Sequence, residues 1–94
     1  MFSGVEIEFD PAKDAQNRHK HGVSLALGKV VLANVVGEEP DPEHHGGEER
    51  WIAFGMIGLR LYVCVYAPRG GRARVISLRK ATKQEQQRWP PQLK

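Results

Sequence analysis

Two short stretches hold the residues best suited to chemistry on a phosphate. The run Arg74-Val75-Ile76-Ser77-Leu78-Arg79-Lys80-Ala81 is dense in β-branched residues and basic at both ends, so one strand would carry core anchors and cations together. In a regular strand Arg74, Ile76, Leu78 and Lys80 share one face, and Val75, Ser77 and Arg79 the other. A guanidinium stays charged and offers a planar fork to two phosphate oxygens, which makes Arg79 the first candidate for work on a polyanion and Arg50 a second. The other stretch, Arg18-His19-Lys20-His21, closes an expected helix. Lys20 or His21 can contact a phosphate or carry a proton there, because imidazole both accepts and donates near neutral pH. Cations at a helix C-terminus also interact favourably with the macrodipole, and the residues alone leave both explanations open.

These groups need a scaffold, and the pattern predicts an α+β one. Val5, Ile7 and Phe9 alternate with Glu6 and Glu8 as in a half-buried strand. Asp10-Pro11 then supplies a cap and a first-turn proline for a helix that runs to about His21 and stops at Gly22. Ser24 caps a second helix whose buried stripe is Leu25, Gly28, Val31 and Leu32; Gly28 implies either a marginal helix or the close approach of another element. Val35-Val36 begins a short strand. Glu38 to Glu49, with Pro40 and Pro42, reads as a polar loop. Strands over Arg50–Met56, Arg60–Ala67 and the basic run form an antiparallel meander. In the middle one, Leu61, Val63 and Val65 are core. Tyr62, Cys64 and Tyr66 either line a wet face, where the tyrosines would stack on bases, or pack beneath a helix. Thr82-Lys83-Gln84-Glu85 is a capping box that starts a short last helix, anchored by Trp89 and stopped by Pro90-Pro91. The expected fold is thus a small antiparallel sheet with two N-terminal helices on one face and a short C-terminal helix.

A chain of 94 residues with 40% apolar content builds one domain over its whole length, with residues 90–94 as a flexible tail. Its single cysteine, Cys64, excludes an internal disulfide and lies in an apolar run, as a small strand residue does. No metal site is expected: Asp41, Glu43, His44 and His45 sit in a glycine-rich loop without the spacing or rigid support of a zinc site. No stretch has the length of a membrane span and the start lacks a signal-peptide pattern, so a cytoplasmic setting is expected. The net charge of +3 conceals an asymmetry. Residues 1–49 hold four Lys/Arg against ten Asp/Glu, a net of −6, while residues 50–94 hold ten against one, a net of +9. Such a basic half favours phosphate-rich partners, unless the two halves neutralise each other in the folded chain.

The succession Phe9-Asp10-Pro11, Asn17, Lys20-His21-Gly22-Val23-Ser24, Asp41 with His44, Glu48-Glu49-Arg50-Trp51-Ile52-Ala53, and Ile76-Ser77-Leu78-Arg79-Lys80-Ala81-Thr82, closed by Glu85, resembles the BrnT family. Leu27, Gly28 and His45 depart from its usual Glu, Ala and Ser. The resemblance implies a RelE-like fold and a toxin of a type II toxin-antitoxin pair: an endoribonuclease that inhibits translation. It also implies a BrnA-like ribbon-helix-helix antitoxin as partner, with operator DNA contacted only through that antitoxin.

Cleavage of RNA by its own 2′-hydroxyl needs that hydroxyl activated, the phosphorane charge stabilised and the leaving oxygen protonated; no metal or other cofactor is required. Arg50 and Arg79 suit the charge, Lys20 and His21 the protons or positioning, with Arg74, Lys80, Tyr62 and Tyr66 as further RNA contacts. The competing expectation is a basic module that grips RNA or the ribosome without catalysis, or an inactive toxin homologue that acts with its antitoxin in autoregulation. DNA binding by the chain itself ranks below both, since no helix pair has helix-turn-helix spacing.

Overall fold

Asp10 accepts a hydrogen bond from the Ala12 amide, Pro11 follows at the first helical position, and α1 (Pro11–His21) runs from there until Gly22 adopts the left-handed conformation at φ 75°. The structure, a computed structural model, describes residues 5–43 and 46–90. Of the residues expected to form the tail, 90–94, all but Pro90 lie outside that range, as do His44 and His45 of the polar loop. Ser24 caps a single 3-10 turn, Leu25–Leu27, that leads into α2 (Gly28–Ala33), so the expected second helix is tighter in its first turn. Gly28 is there because another element comes close: a Cβ at this position would lie 2.8 Å from a Val75 methyl.

β1 (Glu6–Glu8), β2 (Val35–Pro40), β3 (Trp51–Ile57), β4 (Arg60–Arg69) and β5 (Arg72–Lys80) make one sheet in the order β1-β5-β4-β3-β2. The meander and β2 are antiparallel, and β1 adds to β5 in parallel, giving a mixed sheet. β2 reaches Pro40, so the expected loop begins at Asp41 instead of Glu38. An edge strand tolerates a proline, whose missing N–H breaks no ladder bond when it faces outward.

Both sheet faces are covered, and this decides between the two alternatives for Tyr62, Cys64 and Tyr66. Tyr62, Cys64 and Tyr66 pair across the sheet with Lys80, Leu78 and Val75, and they sit on the face beneath α1 and α2, where Leu25, Val31, Cys64 and Leu78 are fully buried. Leu61 and Val63 belong to a second cluster on the other face with Phe54 and Ala81. A wet face built on the tyrosines is therefore not what the chain forms: Tyr62 and Tyr66 are half-buried against the helix-side core.

The second cluster is closed by α3 (Lys83–Arg88). Thr82 and Glu85 exchange both bonds of the capping box, and the Trp89 ring that follows lies over Gly37 and stacks on Phe54 at 5.2 Å between centroids. Any side chain at position 37 would occupy the space of the indole, with a Cβ only 2.1 Å from a ring carbon. Trp89 is thus an anchor to the body of the protein.

Candidate functional site

The site is built where β5 outruns its neighbour. β1 pairs only with Arg72, Ala73 and Arg74, so the edge of β5 from Val75 onward has no strand beside it. α1 lies along that edge and supplies a substitute for the missing ladder. Asn17, the one buried polar side chain among the described residues, donates to the Leu78 carbonyl at 2.8 Å and accepts from the Leu78 amide at 3.2 Å. Its amide also donates to the Val23 carbonyl at 2.9 Å, so one side chain satisfies the strand edge and ties down the turn after α1.

A β-bulge then re-aims the cations. Val65 pairs with Ser77 and the next residue, Tyr66, with Val75, which leaves Ile76 as an extra residue in β5. Val75 and Leu78 consequently both point into the helix-side core, three positions apart. The alternation predicted for this strand fails at that point. Arg74 was expected on the face opposite Arg79; the bulge brings Arg74, Ser77 and Arg79 to one face and leaves Lys80 on the other, exposed.

Between α1 and this edge run two adjoining pockets. The first, about 140 Å³, is lined by Lys13, Gln16, Asn17, Lys20, His21, Ile76 and Ser77. The second, about 240 Å³, is lined by Asp10, Lys13, Glu48, Arg50, Arg69, Arg74, Val75 and Ile76. Lys13 and Ile76 belong to both. The groove therefore gathers Lys20 and His21 at one end and Arg50 and Arg74 at the other. Tyr62, Tyr66 and Lys80 line neither pocket, and the Tyr66 hydroxyl, its pKa raised chiefly by burial, donates to Glu38.

Arg79 lines neither pocket either, although its charge helps to lower the His21 pKa. Its two terminal nitrogens donate to the two Glu85 oxygens at 2.8 and 2.9 Å, so α3 holds the guanidinium in a fixed plane. The pairing drives the Glu85 carboxyl down to about 2 and raises the Arg79 pKa further. His21 titrates below its ordinary value, first through burial and then through the Lys20 and Arg79 charges. Cys64 is pushed up to about 12 by burial, which leaves no thiolate at neutral pH.

Acid and base do fold together across the two halves of the chain. Glu8 meets Arg69, Arg72 and Arg74 at 3.5 to 4.0 Å, and Glu39 pairs with Arg88. Against that background Lys13, Lys20 and Arg50 make no ion pair among the described residues. Lys13, Gln16, Arg69 and Ser77 were missed as site residues. Lys13 had a signal: a cation in the first turn of a helix opposes the macrodipole and asks for another reason to be there. Among the described residues no three His, Cys, Asp or Glu come together as a metal site would need.

The model of a family described as the ribonuclease toxin, BrnT, of a type II toxin-antitoxin system matches residues 9–85. That span takes in every residue of both pockets and both partners of the Arg79–Glu85 pair. No curated protein matches the chain.

Proposed function

The chain belongs to the BrnT family of ribonuclease toxins, and from that premise we propose that it is a metal-independent endoribonuclease that cleaves RNA through the strand's own 2′-hydroxyl and so inhibits translation. The observation that carries this is the first pocket, which sets His21 and Lys20 against Ser77 and contains no carboxylate, with the Arg79 charge acting on His21 from outside it. Neutral His21 takes the 2′-hydroxyl proton as that oxygen attacks phosphorus. The P–O5′ bond breaks, the 5′-oxygen takes a proton from water, the protonated His21 returns its own to the hydroxide left behind, and the products are a 2′,3′-cyclic phosphate and a free 5′-hydroxyl. Lys20 and Arg79 face the charge that grows on the phosphorane, where a preorganised donor contributes about 3 kcal/mol. Arg50 enters from the adjoining pocket.

End-group analysis of fragments made by the purified protein in EDTA tests the reaction. Cyclic or 3′-phosphate ends with 5′-hydroxyls are expected; 5′-phosphates, cleavage of an all-deoxy strand, or activity only with added magnesium would rule it out. Occupation of the Arg79 fork by Glu85 favours a second reading, a basic RNA- or ribosome-binding module without catalysis. RNA bound but never cut would select it.

A type II toxin has an antitoxin partner. We assign that role to a BrnA-like ribbon-helix-helix protein that covers the groove, carries operator DNA contacts on its own domain, and meets the toxin in the cytoplasm. A co-purified complex should then leave RNA intact, and cleavage as fast as by free toxin would exclude occlusion.

A further inference from the structure

The second pocket is not needed for proton transfer, yet it holds the least satisfied cation of the groove. The Arg50 Nε is buried and has no hydrogen-bond partner among the described residues, and Arg50 makes no ion pair with the neighbouring Glu48. A buried N–H without an acceptor destabilises the fold, and an arriving anion removes that cost. Lys13 is the third residue of α1, after Pro11 and Ala12, where its charge opposes the helix dipole, and it borders both pockets. Arg69 and Arg74 are the other cations of the wall, and Asp10 and Glu48 its carboxylates. The two arginines already share Glu8, at 3.8 and 3.5 Å, so they supply a background of positive charge while Arg50 and Lys13 supply the open donors.

We propose that this pocket is a second phosphate subsite, in which Arg50 and Lys13 hold a backbone phosphate of the same RNA strand next to the one presented to His21. The inference rests on the RNA-cleaving reading of the first pocket. It adds that the groove reads strand length, engaging two phosphates at once, and that Arg50 anchors the strand instead of stabilising the phosphorane.

Binding of uncleavable 2′-O-methyl RNA tests the subsite apart from catalysis. The probes are a dinucleotide with one phosphate, a hexanucleotide, and a poly-glutamate peptide of similar charge, measured by fluorescence anisotropy across a salt series. The wild-type chain should bind the hexanucleotide at least ten-fold more tightly than the dinucleotide. Arg50→Gln and Lys13→Gln should each erase most of that gain and reduce the salt slope by about 0.7, the value for one phosphate of a single strand. Arg88→Ala, on α3 and away from the groove, serves as control and should keep the gain. Lys13→Gln should melt no lower than wild type, since it removes an unfavourable charge from the first turn. Equal affinity for both RNA lengths, a gain that survives both substitutions, or equally tight poly-glutamate binding would overturn the subsite. Failure of the nuclease reading shows up separately, as intact unmodified RNA.

Discussion

His21 feels burial, Lys20 and Arg79 all acting in one direction, so its imidazole stays neutral to a lower pH than a solvated histidine. As a proton acceptor it should make kcat/KM fall on the acid side with an apparent pKa below 6.5. Lys20→Ala removes one of the cations and should move that limb up toward 6.5 while slowing the reaction, as a pH–rate series would record. A wild-type limb at or above 6.5 would assign the proton to another group. The same shift has a stability consequence. The unfolded chain binds the proton more readily, so this residue destabilises the fold as pH falls below 6.5, and the effect levels off beneath the folded-state value. Lys20 and His21 were legible because a Lys-His pair next to a helix-ending glycine combines a proton carrier with a fixed position. The sequence leaves Tyr62 and Tyr66 between a wet face and the underside of a helix, because period-2 reasoning does not tell a strand buried on both sides from one with a wet face.

Asn17 decides how α1 meets the sheet, and its replacement is the clearest test at this scale. Asn17→Leu keeps the bulk but leaves the Leu78 amide and carbonyl without partners in a buried setting. We expect a loss of about 2–4 kcal/mol in urea unfolding, and reduced cleavage at denaturant-free conditions because Lys20 and His21 lie within four residues on the same helix. A change under 0.5 kcal/mol would mean that water replaces the amide without strain. Gly28→Ala poses the opposite problem, since it adds a methyl group where another element comes close. Helix propensity gains about 1 kcal/mol, whereas the 2.8 Å approach to Val75 costs about 1–3 kcal/mol, so net destabilisation is expected in the same assay. Helix boundaries were readable from local chemistry: Asp10-Pro11, Gly22 and the Thr82–Glu85 box all act where they stand. The bulge at Ile76 was not, because Arg74, Ile76 and Leu78 alternate acceptably and only the pairing with β4 exposes the extra residue. That one residue determines which arginines share a face.

At the scale of the molecule, the −6 and +9 halves overstate what an RNA would meet. Glu6 and Glu8 of β1 lie against Arg69, Arg72 and Arg74, Glu85 holds Arg79 and Glu39 holds Arg88, so the acidic half neutralises much of the basic one. In the groove, Lys13, Lys20 and Arg50 make no such pair among the described residues. Each phosphate neutralised on a single strand contributes about −0.7 to the slope of log K against log salt, so three open cations predict a slope near −2. If all ten Lys/Arg of residues 50–94 engaged RNA, the slope would approach −7. A salt titration of hexanucleotide binding separates the two by a wide margin. A value near −2 means that RNA uses the unpaired cations of the groove and that the ion pairs of β1 and α3 stay closed. A value near −7 means that binding opens them, and the Arg79–Glu85 pair would then be a gate released by substrate, with Glu85→Gln raising RNA affinity.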